Sequence, residues 1–222
     1  MNLVLYSGGD NIMNEGLDRA LLNLVQKKKR IRMTLIPSSS EVGEEAFEEI
    51  KDYYSGYGIK DFTYFPIDRE FTQKGLEKVL KSDVIYLSGG NTFYFLKHLQ
   101  KSGVAALLRS FVKRGGVLVG ESAGSIVMTP EIRTASFPYF DRDDNDVNLR
   151  DWKALSLVNF EFFPHYKSSK RYDRILSRHS KRSKSRPIYA CPDGSGIILK
   201  NGKLEFQGKV YGFLNGEKFR VQ

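Results

Sequence analysis

The chain has 222 residues, 41% of them hydrophobic and 27% charged, with a net charge of +9, three histidines and one cysteine. That length supports one well-buried core and is short for two full domains, so residues 1–222 are expected to form a single domain. No apolar stretch reaches the length of a membrane-spanning helix, the lone Cys191 excludes an internal disulfide framework and suits a reducing cytoplasm, and Met1 leads straight into a strand pattern rather than a signal peptide.

Residues 2–6 read as a first strand closed by Ser7-Gly8-Gly9, and residues 14–28 place Leu17, Leu21, Leu24 and Val25 on one helical face. The run Lys27-Lys28-Lys29-Arg30 at the end of that helix lacks a recognition motif and reads as cations favouring a helix C-terminus. A second strand over 31–36 enters Pro37-Ser38-Ser39-Ser40, a loop able to cap a helix over 44–54. A third strand (62–66), a short helix (72–81) and a fourth strand (84–87) follow. The fourth strand ends in Ser88-Gly89-Gly90-Asn91-Thr92 and is succeeded by helices over 93–100 and 104–113. Strands alternating with helices predict right-handed βαβ units and a parallel sheet covered on both faces, with ligands at the strand carboxyl ends.

Beyond residue 128 the pattern changes. Residues 130–151 are polar and acid-rich, 158–163 are strand-like and run into Pro164-His165-Tyr166, and a basic helix covers 170–180. Short strands over 188–190, 196–199, 203–206 and 210–213 complete the chain, the later ones as hairpins. The second basic stretch, 167–186, has no regularly interleaved aromatics, so nucleic acid is not an expected partner.

The strongest chemical signal lies over residues 117–128. An apolar strand ends in Gly120-Glu121-Ser122-Ala123-Gly124, and an apolar helical segment follows. This is the G-x-S-x-G nucleophile elbow in the strand–turn–helix context it requires, with Gly120 and Gly124 leaving room for the close approach of strand and helix. Ser122 is therefore the candidate nucleophile. A serine hydroxyl needs a base, and His165, following a strand end and Pro164, is better placed than His98 in mid-helix or His179 in the basic helix. The orienting acid is sought among the carboxylates that precede His165, the cluster over residues 141–146 and Asp151, of which at most one can serve. The backbone N–H of Ala123 and one from Gly89-Gly90 could form an oxyanion hole.

Ser88-Gly89-Gly90-Asn91-Thr92-Phe93, Gly120-Glu121-Ser122-Ala123-Gly124-Ser125 and Phe163-Pro164-His165-Tyr166 together resemble the peptidase E-like serine peptidases, which include aspartyl dipeptidases and cyanophycinases. The resemblance covers nearly the whole chain. It implies one catalytic domain with a class I glutamine amidotransferase-like, flavodoxin-like fold: a three-layer α/β sandwich around a mostly parallel sheet. It also implies a cytoplasmic serine peptidase acting on small peptides without cofactor or metal, as a monomer or homodimer and away from membranes. Carried over by position, Ser122 is the nucleophile, His165 the base, and Gly90 and Ala123 the oxyanion donors. Gly89, Asn91 and Arg133 are the expected substrate-binding positions, Arg133 as a cation for an acidic substrate group, with Lys170 and Arg171 as further candidates.

The aspartyl dipeptidases carry their triad aspartate just after an Ile-Arg-Thr-Thr segment. Here Ile132-Arg133-Thr134 continues as Ala135-Ser136-Phe137, so Phe137 occupies that place. The resemblance then puts the acid further on, with Asp141, closest to that position, ranked first, Asp144 second and Asp143 third, and a Ser-His dyad as the alternative. A glutamine amidotransferase would need cysteine at position 122, and an α/β-hydrolase a His-Gly-Gly loop and a C-terminal histidine. The alternative function is a non-catalytic module that holds an anion or small ligand at the helix N-termini.

Overall fold

The computed structural model describes residues 1–26, 29–182 and 186–221. Lys27 and Lys28, at the start of the first basic run, and residues 183–185 of the second lie outside the described residues. Five strands form the parallel part of the main sheet: β1 (Asn2–Tyr6), β2 (Arg32–Ile36), β3 (Asp61–Tyr64), β4 (Val84–Leu87) and β5 (Val117–Glu121). Two antiparallel strands, β8 (Gly196–Lys200) and β9 (Lys203–Gln207), extend it in the order β3-β2-β4-β5-β1-β8-β9. A second sheet, of order β11-β10-β7-β6, contains β6 (Glu161–Phe163), β7 (Ile188–Ala190), β10 (Tyr211–Leu214) and β11 (Glu217–Arg220). The strand ending before His165 thus belongs to this second sheet, not to the one that carries Ser122.

Alternate residues of each parallel strand feed two separate cores. Leu3, Leu5, Ile85, Leu87 and Leu118 face one side. Val4, Tyr6, Val84, Tyr86, Val117 and Val119 face the other. Both sides are buried, which is why these strands read as unbroken apolar runs. α1 (Asn11–Val25) and α2 (Ser40–Ser55) cover the Val4 side. α3 (Gln73–Leu80), α4 (Thr92–Lys101), α5 (Val104–Lys113) and the short α6 (Ala123–Ile126) cover the Leu3 side, completing three layers. The helices begin where a side-chain oxygen can take a free N–H: Asp10 accepts from Met13 N, Ser39 from Glu41 N, Thr72 from Gly75 N and Asn91 from Tyr94 N.

α7 (Lys170–Arg182) lies on the second sheet, where Phe137, Phe163, Tyr166, Tyr172, Leu176 and Phe213 form a third core. His179 is part of this packing rather than a solvated residue of the basic helix. Its ring stacks on Phe137 at 3.7 Å, and its Nδ1 is buried without a partner among the described residues. Burial, reinforced by Arg182, pushes its pKa from 6.5 down to about 4. Since the folded value is the lower one, protonation favours unfolding. The stability held above pH 6.5 should therefore decline as pH falls towards 4. In His179→Gln, urea midpoints measured across that window should fall less than in the parent.

Candidate active site

β5 and α6 meet at Ser122 in a turn with no space for side chains. A Cβ on Gly120 would lie 2.4 Å from the carbonyl of Gly124, and one on Gly124 would lie 2.1 Å from Leu87 O. Ser122 itself sits at φ 49°, ψ −108°, a conformation that L-residues rarely adopt and that surrounding structure must hold in place. Two bonds do so: Ser122 N donates to Tyr6 O, and the buried Ser125 hydroxyl lies 2.8 Å from Tyr6 O and 2.7 Å from Gly120 O. The Ser122 side chain is thereby left free of structural duty.

His165 reaches Ser122 from the end of β6. Its own φ is 53°, and its N–H donates to the buried Ser7 hydroxyl, which in turn donates to Cys191 O. The ring then spans two partners, with Nε2 2.8 Å from Ser122 Oγ and Nδ1 2.7 Å from Asp193 Oδ1. Asp193 lies in the loop between β7 and β8, tied to the end of β1 by Gly194 N donating to Gly8 O and Ser7 N donating to Ser195 O. Gly8 is required beside the ring: a Cβ there would fall 2.5 Å from His165 Cε1 and 3.0 Å from Asp193 Oδ1. Gly8→Ala should therefore displace the imidazole and lower kcat by about 10²-fold, the usual cost of a misplaced reacting group. Near-UV circular dichroism should confirm that the variant remains folded.

The carboxylate that meets the His165 ring is Asp193, not one of the three expected in the acidic loop. Asp141 accepts a hydrogen bond from the Tyr172 hydroxyl. Asp143 accepts from Thr92 N at 2.7 Å, and Asp144 pairs with Arg142 and accepts from the Asn91 amide through its backbone carbonyl. None of the three meets His165. Phe137, at the place where the resemblance puts the triad aspartate, is an apolar residue of the third core, stacked on Phe163 and His179. The signal for Asp193 was a Pro-Asp-Gly turn, which by itself marks only a loop.

Two other expected positions are engaged within the protein. Both polar atoms of the Asn91 side chain are used inside the protein, Oδ1 as the cap of α4 and Nδ2 in the bond to Asp144 O. Arg133 pairs with Glu131 at 3.0 Å and lines neither cavity beside Ser122. Gly89 and Gly90 do come close. Gly89 lies beside Ser122, and Gly90 packs so tightly on Ser38 that a Cβ would fall 2.1 Å from its hydroxyl. His98 lies away from the site, its ring against Tyr94.

Two cavities meet at Ser122 and His165. One, of about 940 Å³, opens between α1 and α2 over the ends of β1, β4 and β5. The other, of about 630 Å³, is bounded by Ala135, Phe137, Arg142, Phe163, Lys167 and Asp193. Among the described residues no group of three or more His, Cys, Asp or Glu side chains could hold a metal ion, and no helix is long and apolar enough to cross a membrane.

The chain is similar to known proteins in sequence and in fold. The model of peptidase family S51 matches residues 3–207. An uncharacterized peptidase of Pasteurella multocida is 29% identical over 81% of this chain and 86% of its own length. One from Listeria monocytogenes is 32% identical over 70% and 77%. Peptidase E of Salmonella arizonae is 30% identical over 60% of this chain and 58% of its own. Among solved structures, a peptidase E candidate from Listeria monocytogenes EGD-e superposes with a TM-score of 0.70 at 25% identity, over 93% of this chain and 97% of that one. The family model spans nearly the whole chain, and the protein belongs to peptidase family S51 as a serine peptidase of the peptidase E-like fold.

Proposed function

We propose that the protein hydrolyses small peptides, in the manner of a dipeptidase, through Ser122, His165 and Asp193 as a catalytic triad. The observation that carries the reading is the unbroken line from Ser122 Oγ through both ring nitrogens of His165 to Asp193 Oδ1, with contacts of 2.8 and 2.7 Å. With its proton on Nδ1, the ring donates to Asp193 and leaves Nε2 to accept from the serine hydroxyl. Ser122 Oγ attacks the peptide carbonyl carbon while Nε2 takes its proton. The C–O bond forms, and the carbonyl oxygen becomes an oxyanion. The N–H groups of Gly90 and Ala123, at adjoining strand ends, are the candidate donors to it. Among the described residues no internal hydrogen bond uses either group. Collapse breaks the C–N bond, the amine leaves with the proton from His165, and water repeats the sequence on the acyl-enzyme.

A fluorophosphonate probe tests this reading. The expected product is a single adduct on Ser122, absent from Ser122→Ala; an unmodified parent would favour a ligand-binding module instead. Thiol reagents should leave activity intact, since Cys191 is fully buried and burial pushes its thiol pKa up.

A further inference from the structure

The protein is basic overall, yet the larger cavity beside Ser122 is acidic. Among the described residues its lining contains Asp10, Asp18, Glu49, Asp52 and Glu121 and no lysine or arginine. The two carboxylates at its base are held by phenols rather than by cations. Asp18, 1% exposed, accepts from the hydroxyls of Tyr6 (3.0 Å), Tyr54 (2.7 Å) and Tyr53 (2.7 Å). Glu121, the residue before Ser122, accepts from the Tyr86 hydroxyl at 3.1 Å. Burial raises the pKa of Tyr6, Tyr54 and Tyr86 well above 10, so these phenols stay neutral and neutralise no charge. Asn14, 8% exposed, lines the same cavity, and its amide oxygen has no partner among the described residues. The phenols thus satisfy hydrogen bonds of both carboxylates but bring no positive charge to them, and the buried Asn14 oxygen still lacks a donor, which is costly unless something supplies one.

We infer that this cavity receives a positively charged group of the substrate, an ammonium or guanidinium, so that the enzyme prefers cationic over acidic peptides. The inference rests on Ser122 as nucleophile, and it reverses the acidic preference that Arg133 was expected to serve. Such a cation could be a free amino terminus or a lysyl or arginyl side chain, since both are multiple N–H donors of one charge. The other cavity, with Arg142 and Lys167 on its lining, is left for the opposite end of a zwitterionic peptide.

The test is a panel of dipeptides pairing arginine, leucine or aspartate with alanine in both orders, each with a free and an acetylated amino terminus. Peptides bearing the recognised cation should exceed neutral counterparts by about 10-fold or more in kcat/KM, the worth of a charge-assisted hydrogen bond. Acetylation that removes the advantage assigns the cation to the amino terminus. An advantage that survives acetylation and follows arginine assigns it to the side chain. Glu121→Gln should shrink the preference mainly through KM, and Glu49→Gln at the rim provides a second variant should the first fail to fold. Equal rates across the panel, or a preference for aspartate, would overturn the inference if the fluorophosphonate still labels Ser122. Failure of labelling would instead remove the catalytic reading beneath it.

Discussion

Ser122→Ala is expected to lower kcat by about 10⁶-fold, the loss typical of removing a triad nucleophile, while leaving stability nearly unchanged. The two effects separate because, among the described residues, the Ser122 hydroxyl makes one hydrogen bond, to His165, and no cap to α6. The backbone strain at φ 49° is borne equally by alanine. Ser125, three residues on, should behave in the opposite sense. Its hydroxyl is fully buried against Tyr6 O and Gly120 O, and Ser125→Ala removes the donor that holds the elbow against β1. That change should cost about 1–3 kcal/mol in unfolding free energy. Single-turnover kinetics and urea unfolding on both variants check the pair. A Ser122→Ala protein that still cleaves peptides would place the nucleophile elsewhere.

What could be read from the sequence and what could not divide along the same physical line. Strands buried on both faces are apolar throughout, so 84–87 and 188–190 were legible to the residue. The elbow was legible because its pattern is short and partly self-imposed: Gly120 is required by Gly124, four residues on, although Gly124 is itself required by Leu87 of the neighbouring strand. The loop positions of Ser122 and His165 implied their meeting, although the route differs: His165 arrives from a second sheet whose last strand, β11, is too polar and exposed to signal itself. Asp193 was illegible for a different reason. It reaches His165 across 28 residues and through β7, and neither its neighbours nor its spacing says where its loop folds. The acidic loop looked better because it is rich in carboxylates, but its members bind the N-terminus of α4 and Tyr172 instead, contacts as distant in sequence as that of Asp193 and as hard to foresee. The acidic cavity was hidden likewise, because its five carboxylates come from α1, α2, β5 and the loop before α1, in a chain whose overall charge is positive.

Asp193→Asn is expected to lower kcat by about 10⁴-fold, and Asp141→Asn to leave it nearly unchanged. The asparagine keeps the shape of the carboxylate but can present an N–H to His165 Nδ1, which favours the tautomer with its proton on Nε2. That tautomer cannot accept the proton of Ser122, and it places no negative charge beside the imidazolium that forms during attack. Asp193 is about half exposed, its side chain at 47%, so its value lies in orientation more than in a deeply buried charge. Ser7 already fixes the His165 backbone from below, which leaves the ring's rotation as the freedom that Asp193 removes. Asp141 contributes elsewhere: it accepts from Tyr172 in the third core, so its replacement should show in thermal stability rather than in rate. Measuring kcat and Tm on both variants separates the two roles. A rate loss at Asp141 equal to that at Asp193 would return the acid to the loop before His165, and shallow losses at both would leave the enzyme running on Ser122 and His165 alone.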